Sequence, residues 1–231
     1  MSFDPTDIPR ESIWDDFPFF KWLAVGFVVF VVGYSLLDIA TRRGPHPRIF
    51  QNEMNNMRQI GFALIEFEIE YDRMPDPSTI ELVRERFPET WIPMGTASSN
   101  DYFHQLLAAK IVNSPSIFHG EGIATHKSSD LIQGKPPLPP GTCGFAYIIH
   151  DAKATIETTP LVVFPLVRGE LVFDKKLCKE NGKQAAVLYA SGSVQRHPID
   201  SKGRLILNGR DFFDPAQPHW NGGKFRVVWP E

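Results

Sequence analysis

The chain has 231 residues, 24 Lys and Arg against 27 Asp and Glu, and a formal net charge of −3. This near-neutral balance, with no basic block, excludes the electrostatic footprint of a nucleic-acid binder, and a hydrophobic fraction of 42 % is that of an ordinary globular chain. Twenty prolines and eighteen phenylalanines point to a loop-rich fold pinned by aromatic packing.

Residues 1–16 read as a polar leader, acidic rather than short and basic. Residues 22–37, WLAVGFVVFVVGYSLL, are sixteen residues without a charge. A bilayer core asks for roughly 20 mostly apolar residues in a helix. Phe17, Phe19 and Phe20 extend the run on one side, Ile39 and Ala40 on the other. Lys21 can snorkel outward, and Trp22 and Tyr34 suit interfacial positions. Residues 17–40 are therefore expected to form a transmembrane helix in contact with the lipid bilayer. No small-residue cleavage site follows, so the anchor is expected to be retained. Arg42, Arg43 and Arg48 follow the run while only Arg10 and Lys21 precede it. That count places the C-terminal domain in the cytoplasm.

Residues 41–47 hold Gly44, Pro45 and Pro47, read as a hinge because proline removes a helical donor and clashes with the preceding turn. From residue 48 to about 71, Met54, Met57, Ile60, Gly61, Leu64, Ile65, Phe67 and Tyr71 fall on one arc, with Asn55, Gln59, Glu66 and Glu70 opposite. This is an amphipathic helix made to pack on a sheet. Ser78 is read as the cap of a short helix over residues 79–86, with Glu81 as its capping-box partner. Ser99 or Asn100 caps a third helix, whose buried side is Phe103, Leu106, Leu107 and Ile111. Residues 113–140 form an irregular, proline-rich excursion. Short apolar or alternating runs follow at 145–150, 161–167, 185–190, 194–197, 204–207 and 225–229. No strand–helix–strand alternation is present, so the expected fold is α+β with an antiparallel sheet. Residues 48–231 are taken as one domain.

Motifs for chemistry are sparse. His119, Glu121 and His126 do not have a ligand spacing, and no cofactor or metal is expected. His104 is read as a helix-surface residue. His150, His197 and His219 lie on different elements with no serine or cysteine placed to complete a triad. Ser191 lacks the spacing of a nucleophile elbow and is read as a hairpin turn residue. Glu66, Glu68 and Glu70 do not face one another at i, i+2 on a helix. Cys143 and Cys178 form no C-x-x-C pair. Two readings stay open for them: a disulfide worth roughly 3 to 4 kcal/mol in the chain-entropy model, or two separate buried thiols. Residues 61–66, GFALIE, match the processing signal of prepilins, but the charged stretch that follows is no membrane helix, so the match is read as chance.

Three stretches carry a family resemblance: residues 55–64 (NNMRQIGFAL) with 71–76 (YDRMPD), residues 100–106 (NDYFHQL), and residues 186–194 (AVLYASGSV). In order and spacing these resemble the globular part of type IV pilin-like and type II secretion pseudopilin-like proteins, over residues 48–231. The resemblance implies a pilin-like α+β domain, a position outside the cytoplasm at the inner membrane against the arginine count, envelope proteins as partners, and no catalytic residues. The prepilin signal is missing at the apolar run, and residues 45–47 interrupt what is one continuous helix in pilins. The expected function is a non-enzymatic, membrane-anchored protein acting by protein–protein contact in a secretion- or pilus-type envelope assembly. The alternatives are a tethered module binding a peptide or glycan, and an envelope hydrolase built on His119, His126 and His150.

Overall fold

The computed structural model describes residues 47–120, 131–151, 155–180 and 183–231. These fold as α+β around a five-stranded antiparallel sheet. The long helix α1 (Pro47–Tyr71) comes first. Phe50, Met54, Met57, Ile60, Leu64, Phe67 and Tyr71 are buried at steps of three or four, the spacing of one helix face. Gly61 lies on that face, where an added Cβ would sit 2.8 Å from Leu188 Cδ1. The missing side chain lets α1 settle closely onto the sheet. Asp72 takes a left-handed backbone (φ 59°) and ends the helix.

Helix α2 (Thr79–Arg86) starts where the sequence places it, but not with the expected cap. Ser78 makes no side-chain cap bond. Asp76 serves instead, its Oδ1 accepting from Ser78 N at 2.6 Å and Thr79 N at 3.2 Å. Helix α3 (Ser99–Ala108) is capped by Ser98, one residue earlier than expected. Ser98 Oγ accepts from Asp101 N, and Asp101 Oδ2 accepts from Ser98 N at 3.1 Å, so two orphan donors are satisfied reciprocally. Ser99 and Asn100 are thereby freed to hold neighbouring segments, donating to the carbonyls of Phe145 (2.8 Å) and Leu138 (3.0 Å).

The strands are β1 (Ala146–His150), β2 (Pro160–Phe164), β3 (Gln184–Tyr189), β4 (Val194–Pro198) and β7 (Phe225–Val228), in the order β4-β3-β2-β1-β7. The first four form a meander, and β7 returns to pair with β1 in the register Tyr147↔Val228 to His150↔Phe225. The β3–β4 hairpin pairs Leu188 with Val194 and turns through Gly192 at φ 77°. A separate two-stranded ribbon joins β5 (Ile206–Leu207) to β6 (Arg210–Asp211).

Alternation along the strands sorts the core into two clusters. Phe145, Tyr147, Val162, Phe164, Ala186 and Leu188 face α1 and α3. Ala146, Ile148, Val163, Ala185, Val187 and Val227 face the opposite way, onto Phe173, Leu205, Phe212, Phe213 and Trp220. That second cover comes from the short helix α4 (Lys175–Glu180) and the irregular chain of the last third.

Several expectations are corrected here. Among the described residues no helix is long and apolar enough to cross a membrane. The expected single-pass arrangement and inner-membrane location are thus carried by no described helix; residues 17–40, the leader 1–16, and Gly44 and Pro45 of the hinge lie outside the described residues. Pro47 is the first residue of α1 rather than a break before it. At that position the missing N–H would have no intrahelical partner anyway. Of the two readings left open for Cys143 and Cys178, the structure has the second: both are free, buried thiols and no disulfide is formed. They sit in different clusters, Cys143 with the helices and Cys178 with the aromatic cover.

Candidate functional site

The histidines divide into structural ones and a pair that shares a cleft. His104 is only 4 % exposed, which corrects its reading as a surface residue. Its Nε2 accepts from Leu138 N at 3.2 Å, and burial pushes the imidazole down to about 4. His150 donates from Nε2 to the Pro160 carbonyl and stacks on Trp220 with centroids 5.5 Å apart. Burial lowers it to about 4 as well. His119 is buried beside Cys143 at an isolated bridge, while Glu121 and His126 lie outside the described residues. Glu66, Glu68 and Glu70 are exposed, and Glu70 pairs with Arg86 at 3.4 Å. Burial pushes both cysteine thiols up to about 12, far from the thiolate range a nucleophile needs. Among the described residues no group of three or more His, Cys, Asp or Glu is placed to hold a metal.

His197 and His219, far apart in sequence, line one cleft of about 360 Å³ beside the β3–β4 turn. Ser191 stands in that turn, as its sequence context indicates, and its Oγ lies 2.9 Å from Ser193 Oγ. His197 Nε2 is 2.8 Å from the Tyr189 hydroxyl. His219 Nε2 is 3.0 Å from the Phe212 carbonyl, which only accepts, so Nε2 carries the proton and Nδ1 is an acceptor. Burial holds both imidazoles below their ordinary value and therefore neutral near pH 7. Gln217 forms the cleft's inner wall, and its Nε2 donates to the carbonyls of Leu207, Arg210 and Asp211 at 2.8, 3.1 and 3.0 Å.

A second feature is the outer side of α1. Phe62 is 67 % and Ile69 77 % exposed, the two most exposed large apolar side chains among the described residues. They lie seven residues apart, two turns along one face. Phe62 and Glu66 border an open groove of about 370 Å³ whose other wall includes Ile111 and Ile117. The apolar arc read from the sequence coincides with the buried side of α1, and Phe62 and Ile69 fall outside it. The only signal was two large apolar residues outside the arc.

Comparison with known proteins finds no match: no family model, no curated protein and no solved structure matches the chain. The pilus and secretion assignment drawn from the resemblance thus gains nothing from these comparisons and is not carried forward as a role.

Proposed function

We propose that this domain is non-enzymatic and acts by protein–protein contact through the outer side of α1. The observation that carries this reading is the exposure of Phe62 and Ile69 on a helix whose opposite face is fully buried. Leaving two such side chains in water forgoes about 1.5 to 3 kcal/mol each relative to burying them. Exposed Glu66 stands beside Phe62 at the edge of the same groove. The partner is accordingly a protein with an apolar strip bordered by basic side chains, matched in charge to this surface. The same proposal takes the resemblance to pilin-like globular domains as one of fold, supported by a long helix that precedes and covers an antiparallel sheet. Further support comes from the titratable groups: His104 and His150 are occupied with backbone groups, and both thiols are buried.

The test is photo-crosslinking in native cells, with a photoreactive phenylalanine derivative at position 62 of the full chain and a control at position 131. The expected result is a discrete adduct with a different protein, absent at the control position and lost on Ile69→Asp. No adduct at position 62, or an adduct only with a second copy of this chain, would overturn the reading.

A further inference from the structure

The cleft beside the β3–β4 turn lies apart from the α1 surface and has a different chemistry. Its wall is built from neutral hydrogen-bonding groups: Ser191, Ser193, His197, Asn208, Gln217 and His219. No lysine or arginine lines it, which argues against a phosphate or carboxylate ligand. Glu157 is its one carboxylate, too little negative charge for a polycation.

Gln217 is the most informative residue. It is 2 % exposed, and its amide nitrogen is held by three carbonyls. Turning the amide over would set its oxygen against those three acceptors, so the orientation is fixed by chemistry. Oε1 is then buried without a hydrogen-bond partner in the protein. A buried, unsatisfied acceptor is costly unless something supplies a donor. Nδ1 of His219, deprotonated by the same logic, is a second acceptor in the same wall. The serine hydroxyls at the rim both donate and accept, and Pro218 and Leu207 add small apolar surfaces.

We propose that this cleft is a binding subsite for a neutral polyhydroxylated ligand, one or two sugar residues of a glycan. Ligand hydroxyls donate to Gln217 Oε1 and the His219 imidazole, and ligand oxygens accept from Ser191, Ser193 and Asn208. A sugar presents donors and acceptors on adjacent carbons, which matches a wall where both alternate over a short distance.

The experiment is saturation-transfer NMR on the full chain with glucose, galactose, N-acetylglucosamine, maltose and cellobiose as probes, together with an unrelated neutral peptide. Transfer to at least one sugar is expected, with weak affinity. Gln217→Leu removes the key acceptor but also three internal bonds, so it carries the test only if its far-UV and thermal profiles match the wild type. The double variant Ser191→Ala, Ser193→Ala touches only the exposed turn and keeps the fold. It should weaken sugar binding about five- to thirtyfold, the equivalent of one to two hydrogen bonds of about 1 kcal/mol each. Absence of transfer to every sugar, transfer to the peptide instead, or binding unchanged in the serine double variant would each overturn the proposal.

Discussion

The two faces of the sheet are buried to the same degree by different means. On one face, α1 and α3 cover Tyr147, Val162 and Leu188 with regular helices whose side chains come from long, periodic segments. On the other, Ile148, Val163 and Val187 are covered by aromatic rings carried on turns, a six-residue helix and a two-stranded ribbon. There Trp220 stacks on Phe225 at 3.9 Å, Phe212 meets Phe213 edge to face at 4.9 Å, and Phe173 stacks near Phe213 at 6.0 Å. Large rings bury much area per residue, so a short irregular segment achieves what a helix achieves with more backbone. The two covers differ in how their backbones are held. The helices are hydrogen-bonded within themselves, whereas the aromatic cover depends on single ties such as Phe173 N to the Gly203 carbonyl at 2.8 Å and Phe212 N to the Leu205 carbonyl at 2.8 Å.

Truncating one ring on each face has the largest expected effect. Phe67→Ala and Phe212→Ala each remove a fully buried ring and should cost about 3 to 5 kcal/mol by denaturant titration. Hydrogen exchange should then separate them. Phe67→Ala lowers protection throughout the sheet, whereas Phe212→Ala opens the aromatic cover while β1 to β3 stay protected. Identical exchange patterns would show that both faces unfold as one unit.

A drop in pH probes the helical side. His104 is neutral and buried in α3, with its folded value near 4 against an ordinary value of 6.5. The unfolded chain therefore takes up a proton first as pH falls. Stability is fully present above about pH 6.5 and declines towards pH 4, by about 3 kcal/mol for this residue. His150, likewise lowered by burial, adds to the loss in the same direction. Urea titrations at pH 7 and pH 4.5 check this, and His104→Gln should flatten the difference. An unchanged slope in that variant would assign the acid sensitivity elsewhere.

The smallest effect tests how tightly α1 sits on β3. Gly61→Ala places a methyl against Leu188 Cδ1, the end of a side chain rather than backbone. A buried leucine can yield only partly in a dense core, which gives a cost of about 1 to 2 kcal/mol, offset by roughly 0.5 to 1 kcal/mol from the better helix former. A variant as stable as the wild type would show that the helix-to-sheet layer has room that the aromatic layer lacks.

Much of the helical face was legible from the residues. The three-four spacing from Met54 to Tyr71 marks a buried stripe regardless of what covers it, and the apolar runs around Ile148, Val163 and Val187 mark strands in any context. The other face was not legible. Phe173, Phe212, Phe213 and Trp220 lie in segments without periodicity, and nothing local distinguishes a ring that closes a core from one in a loop. His104 was misread for a related reason. Its helix is buried almost all round by contacts from distant chain, Leu138 among them, and an amphipathic pattern cannot register that. The cleft shows the same limit. Ser191 was recognised as a turn residue, but its meeting with Gln217 and His219 depends on where the last third of the chain folds back.

The residue pattern alone places the first three helices, the strands of the five-stranded sheet, the β3–β4 turn and the apolar side of α1, but not α4 or β6. These follow from periodicity, turn chemistry and capping, which act over a few residues. Only the tertiary structure decided the strand order with β7 beside β1, the second core of aromatic rings, the separation of Cys143 from Cys178, and the pairing of His197 with His219 in one cleft. Each of these depends on where segments tens of positions apart are placed, which is selected by packing of the whole chain rather than by any preference written in a neighbouring residue.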